Sequence, residues 1–173
     1  MNRSSALLAV STAAVLLGSG LTALPAQAGT QACPPEPARY SFTNFKLSKL
    51  GTNLMSRYIT GPGTISYNKT TTATVGLTAS ASVTAEAGVV VAKASTTAGV
   101  ALTSQYSRTD GFTYSMTVAS GQRRRMRLFQ TSRYFVVSKR AFNTHTCTWY
   151  SPYSGKAANA PQKAMDEEWL LQA

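Results

Sequence analysis

From Thr64 to Thr84 the sequence alternates with a period of two. Ile65, Tyr67, Ala73, Val75, Leu77, Ala79, Ala81 and Val83 fall on one parity, and the intervening positions are mostly Ser and Thr. Side chains of an extended chain point alternately to opposite faces, and β-branched residues favour that conformation. The segment therefore predicts a long strand or a pair of strands with one apolar face and one Ser/Thr-rich, almost uncharged face. Alternation returns at Val100, Leu102, Ser104 and Tyr106, and again at Phe112, Tyr114, Met116 and Val118. Arg123–Gln130 and Tyr134–Arg140 read as two further strands. Asp110-Gly111 reads as a hairpin turn, and Gly61-Pro62-Gly63 and Ser120-Gly121 as turns.

Two stretches break this pattern. Between Ala85 and Ala98, Val83, Ala87, Val90, Val91, Ala94 and Ala98 fall on one helical face, and the alanine content leans the segment toward a helix capped by Gly99; a further β-segment through Val89 and Val91 is the alternative. Leu47, Leu50, Leu54 and Tyr58, three and four residues apart, suggest a short helical or irregular segment. The expected fold class is mainly β, with α+β left open: an antiparallel sheet or sandwich of long Ser/Thr-rich strands with one short central helix.

The N-terminus has the grammar of an export signal. Arg3 supplies a positive n-region, Ala6–Leu17 an uncharged apolar core, and Ala26-Gln27-Ala28 the small-residue pattern for cleavage after Ala28. A membrane anchor would need about 20 continuous apolar residues, and Cys33 lacks the context of a lipoprotein anchor. The expectation is a signal peptide over residues 1–28 and a secreted, extracellular mature chain. Losing Arg3 would take the formal charge from +11 to +10. Residues 29–39 form a Pro-rich linker and 40–149 a single β-rich domain. Residues 150–173 read as a loose tail whose Met165–Leu171 stretch suits a turn or two of amphipathic helix.

The two cysteines, Cys33 and Cys147, are an even pair in an exported chain and read as one disulfide closing nearly the whole domain. A Cys147 thiol served by His145, two residues away on the same face of a strand, is the competing reading. The bridge is preferred because no hydrolase motif surrounds either residue, and His145 then reads as a partly exposed strand residue.

The succession TASASVTAEAGVVVAKASTTAGVALTSQ, DGFTYSMTVASGQ and RYFVVSK, within Thr78–Phe142, resembles a module of small secreted proteins of Gram-positive, especially actinobacterial, bacteria. That resemblance implies no activity. In composition the chain also resembles aerolysin-type pore-forming proteins, in which Ser/Thr-rich strands flank a short segment that enters a membrane. Such a likeness implies flanking arms at Thr64–Thr84 and Val100–Val118 around an insertion segment at Ala85–Ala98.

Arg123, Arg124, Arg125 and Arg127 lie within five residues, followed by Arg133, Lys139 and Arg140. On a strand, Arg123, Arg125 and Arg127 share a face, a strip suited to bidentate contact with phosphate or carboxylate; Phe129, Tyr134 and Phe135 could stack beside it. A solvated edge strand protected by its charges is the plainer interpretation. These seven residues are the anion-binding candidates, with a cell-wall polymer or phospholipid headgroups as partners. No module for sequence-specific nucleic-acid binding is present.

Catalytic residues are not identifiable. Six scattered acids form no evident dyad, one histidine and two bridged cysteines make no metal site, and no Gly-rich phosphate loop occurs. No cofactor is implied. Glu86 reads as a favourable charge at a helix N-terminus, and Asn68-Lys69-Thr70 matches a glycosylation sequon. The leading expectation is a non-enzymatic, secreted β-rich protein binding an anionic surface. The alternatives are an oligomerising pore-forming protein and a secreted inhibitor or enzyme.

Overall fold

A computed structural model of the chain describes residues 33–164 and 166–173. The expected signal peptide and its cleavage point lie outside the described residues. Within them the protein is mainly β, with antiparallel strands and two short helices. In chain order these are β1 (Arg39–Met55), β2 (Ile59–Thr60), β3 (Gly63–Gly76), β4 (Thr78–Ala79), α1 (Ala81–Thr84), α2 (Ala87–Ala98), β5 (Gln105–Val118), β6 (Arg123–Asn143), β7 (Thr148–Pro161) and β8 (Glu167–Gln172).

Strand β6 is the axis of the larger sheet. β1 pairs along one of its edges from Arg127 to Arg140. The other edge carries β8 from Arg125 to Gln130 and β7 from Ser132 to Asn143. Where β7 gives way to β8, the buried Gln130 amide donates to the carbonyls of Gln162 and Ala164, at 3.0 and 2.7 Å. The sheet order is β1-β6-β7-β4, and β3 and β5 form a separate two-stranded ribbon.

Two apolar clusters lie on opposite faces of β6, because its buried residues change parity along the strand. Met126 and Leu128 pack with Leu54, Ile65, Ala73, Phe112, Val118 and Trp169 beneath the ribbon. Phe135 and Val137 point the other way and pack with Val83, Val90, Val91 and Ala94 of the helical segment. Chain entry is fixed by the Cys33–Cys147 disulfide, whose Cα atoms are 5.7 Å apart.

Several expectations are corrected. Arg123–Gln130 and Tyr134–Arg140 belong to one 21-residue strand. Leu47–Met55 is part of β1; bulges between Thr43 and Lys46 and between Gly51 and Met55 shift its period and imitate helical spacing. Asp110-Gly111 is no turn: it lies mid-strand opposite Thr71 and Thr70, with Asp110 in an ion pair to Arg108. The first alternating run ends at β4, and Ala81–Thr84 is already helical. The segment read as a loose tail is β7 and β8. Ala158 and Ala160 are small and buried because the helical segment packs over them, while Trp169 pairs with Leu128 and is buried under the ribbon. The expected helix at Ala85–Ala98 is present as α2, ending at Gly99 in the left-handed conformation.

Gly61 closes the turn before the ribbon, donating to Gln122 O at 2.8 Å. A Cβ there would lie 2.1 Å from Ala119 O and 2.5 Å from Val118 O, both backbone atoms. Gly61→Ala is therefore expected to lower unfolding stability by about 1–3 kcal/mol, measured as a reduced urea midpoint.

Candidate functional site

The structure divides the seven basic candidates along a strand segment about 55 Å long, so they do not form one strip. Arg127 is half-buried and structural. Its Nε donates to Thr52 O at 2.8 Å and its Nη2 to Gly51 O at 2.9 Å, filling the second bulge of β1. A Cβ on Gly51 would fall 2.5 Å from Arg127 Nε, so glycine there makes room for the guanidinium. Lys139 is committed to an ion pair with Glu86. Arg133 lies half-buried between Leu47 and Ala160. Arg140, near the far end of β6, shares the Trp149 ring with Arg39.

Only Arg123, Arg124 and Arg125 remain together. The Arg123 and Arg125 guanidiniums lie 4.8 and 4.9 Å from the ring centre of Tyr58, which is itself exposed. Arg124 sits on the other face and bonds Gln122 Oε1 at 3.3 Å. Among the described residues, none of Arg57, Arg123, Arg124 and Arg125 is in an ion pair. Arg123, Arg125, Arg127 and Phe129 share the face opposite the ribbon. On that face Leu47 and Met55 are 65% and 43% exposed. The result is a basic surface with apolar side chains among the charges.

The ribbon is the second feature. Fourteen consecutive pairs, Gly63↔Val118 through Gly76↔Gln105, run without a bulge. One face consists of pairs such as Thr64↔Thr117, Ser66↔Ser115, Asn68↔Thr113 and Thr72↔Thr109, and it holds no charge. The other carries Ile65↔Met116, Tyr67↔Tyr114 and Val75↔Tyr106, with Lys69, Arg108 and Asp110 between. Side chains fasten it to the sheet. Asn53 in the β1 bulge bonds Thr72 O and Thr74 N at 3.1 and 2.7 Å. Glu167 of β8 accepts from Tyr106 at 3.0 Å and Arg108 at 2.7 Å. Burial and the adjacent carboxylate push Tyr106 up to about 12.

Sequence reasoning missed the third feature, because its parts are far apart in the chain. Glu86 stands between α1 and α2, and its carboxylate meets three strands. Tyr40 of β1 donates to Oε2 at 2.8 Å, Tyr153 of β7 donates to the same oxygen at 3.2 Å, and Lys139 of β6 binds Oε1. These contacts, more than the N-terminal position read from the sequence, define its environment. The hydrogen bond from Lys139 holds the Glu86 carboxyl below its ordinary value, against the opposing effect of burial. Lys139 is raised by the same contact, and burial with the Glu86 charge raises both tyrosines.

His145 is exposed in the β6–β7 turn rather than on a strand, and Cys147 is oxidised, so the thiol alternative falls. Among the described residues no helix is long and apolar enough to cross a membrane, which leaves strands untouched as a means of crossing. No protein-family model, curated protein or solved structure matches the chain.

Two outcomes are expected. Arg127→Gln lowers stability by about 1–3 kcal/mol in urea titration, whereas Arg123→Gln with Arg125→Gln leaves the midpoint nearly unchanged. The Glu86 contribution to stability is complete above the ordinary glutamate value of 4.5 and is lost as pH falls through its lower folded value. Near-UV circular dichroism melts should thus lose stability below that value more steeply for the wild type than for Glu86→Gln.

Proposed function

We propose that this is a secreted, membrane-active protein that docks on anionic lipid through its basic face and assembles into a β-lined pore by extending the β3–β5 ribbon. One observation carries the reading. The ribbon's register, continued past its present end, keeps one face uncharged and mostly apolar through residues 77–104, with Thr96 and Ser104 its polar positions. Apolar positions would meet as Ala79 with Leu102, Ala81 with Val100, Val83 with Ala98 and Ala87 with Ala94. The other face would match Thr78 with Thr103, Thr84 with Thr97 and Glu86 with Ser95. The first step of that extension exists already, since Leu77 N donates to Ser104 O at 2.8 Å.

The same segment is a poor intrinsic helix. α2 contains Val89, Val90, Val91, Thr96, Thr97 and Gly88 among its 12 residues, types with low helix propensity and, glycine apart, a preference for strands. Its helical form depends on burying Val90, Val91 and Ala94 against β6 and β7. In the extended hairpin, Lys69, Arg108 and Asp110 mark the lower limit of the uncharged apolar face. Val75–Val89 and Ala92–Tyr106 above them, joined at Val90-Val91, exceed the roughly 9–11 residues a tilted strand needs to cross a bilayer. Thr and Ser on the opposite face suit a water-filled lumen. Closure into a barrel uses several copies, because two strands alone leave both edges unpaired.

Docking falls to Arg123 and Arg125 around Tyr58, with Arg57 beside them and exposed Leu47 and Met55 to enter the interface. Basic residues near an anionic bilayer contribute about 1 kcal/mol each.

Anionic vesicles should bind the oxidised mature protein, release a trapped dye and yield detergent-resistant oligomers, with binding weakened by salt. Arg123→Gln with Arg125→Gln should weaken binding roughly 10–30-fold. Single cysteines at residues 79–84 bearing a polarity-sensitive dye should respond with period two on vesicles. Binding without leakage or alternation reduces the protein to an anionic-surface binder; binding to wall polymer but to no vesicle overturns the membrane reading.

A further inference from the structure

We propose that Glu86 is the latch that holds the helical segment in its soluble form, and that its release from Tyr40, Lys139 and Tyr153 is the step that frees residues 77–104. The proposal rests on the reading of those residues as the inserting segment, and it names what controls them.

Glu86 is the only acidic residue between Glu36 and Asp110. It lies at the junction of α1 and α2, where a single side chain can hold both. Its partners come from three strands of the sheet: Tyr40 on β1, Lys139 on β6 and Tyr153 on β7. Lys93 of α2 completes the charged surroundings. Its Nζ lies 5.6 Å from the Tyr40 ring centre, and the Lys139 Nζ lies 5.7 Å from the same ring. One carboxylate thus joins the helical segment to strands β1, β6 and β7 and pairs with the Lys139 ammonium beside Tyr40.

The remaining attachment is different in kind. Val83, Val90, Val91 and Ala94 are held by burial, which is non-directional. Val89, next to them, is exposed. Burial of Val83 and Ala94 could be exchanged for burial in lipid, with Val90 and Val91 at the tip of the extended hairpin, but the Glu86 contacts have no equivalent there. In the extended register Glu86 faces Ser95 on the polar side, away from β1, β6 and β7. The two forms are mutually exclusive at this residue. A charge-assisted cluster of this kind is stronger than ordinary neutral hydrogen bonds, so breaking it is a discrete event.

The test is amide hydrogen exchange in solution, without lipid, on the full oxidised protein. Glu86→Gln keeps the size and an acceptor oxygen but removes the charge, and Lys139→Met removes the main partner. Each should accelerate exchange across residues 81–98 by about tenfold or more while amides of β6 paired to β1 stay protected. Glu168→Gln, which removes an exposed ion pair with Lys49, is the control and should change nothing in that segment. If Glu86→Gln leaves residues 81–98 as protected as in the wild type, or loosens the whole sheet equally, the latch is refuted. On anionic vesicles the same variant should leak dye faster than wild type. Selective acceleration of exchange with no leakage from either protein would uphold the latch and sink the pore reading.

Discussion

Strand β6 forms backbone hydrogen bonds on both edges over most of its 21 residues, with β1 on one side and β8 followed by β7 on the other. The backbone groups of a strand so deep in a sheet must be paired, and that requirement places the rest of the molecule. Its buried side chains change parity between Ser132 and Phe135, so one strand supports two cores on opposite faces. The ribbon rests on one and the helical segment on the other. The chain between them passes β4, which pairs at the β7 edge of the sheet.

That arrangement explains why a segment rich in valine and threonine is helical. Ser95, Thr96 and Thr97 each turn their hydroxyls back to the carbonyl four residues earlier, a contact that satisfies the side chain without stabilising the helix much. Local preference favours strand, while burial against Phe135, Val137, Ala158 and Ala160 favours helix. Conflict between local and global preference is uncommon in a sequence that must hold one structure. It is what the proposed extension of the ribbon through residues 77–104 requires.

The basic residues show how similar side chains take different roles through position alone. Arg127 has carbonyl acceptors at a bulge, Lys139 has Glu86, and Arg140 has Trp149. Arg123 and Arg125 lie against the face of Tyr58, and Arg125 also reaches Met55 Sδ at 3.3 Å; neither is held by a carboxylate or carbonyl among the described residues. Composition shows the density of positive charge, but the division between structural and available cations depends on partners up to 76 residues away in sequence.

The sequence by itself determined the antiparallel β character, the alternation of the ribbon's arms and the Cys33–Cys147 pairing, because period, residue type and cysteine count are local properties; at Ala85–Ala98 it left helix and strand both open. It misled at Asp110-Gly111, at Leu47–Met55 and in the tail. There a partner strand overrode a turn signal, bulges disturbed the period, and small residues served close packing that no local rule describes. Only the tertiary structure decided that the ribbon and the helical segment lie on opposite faces of β6, that Arg127 is structural, and that Glu86 joins three strands. Each of these depends on contacts between residues remote in the chain, and such contacts exist only once β6 has gathered its neighbours.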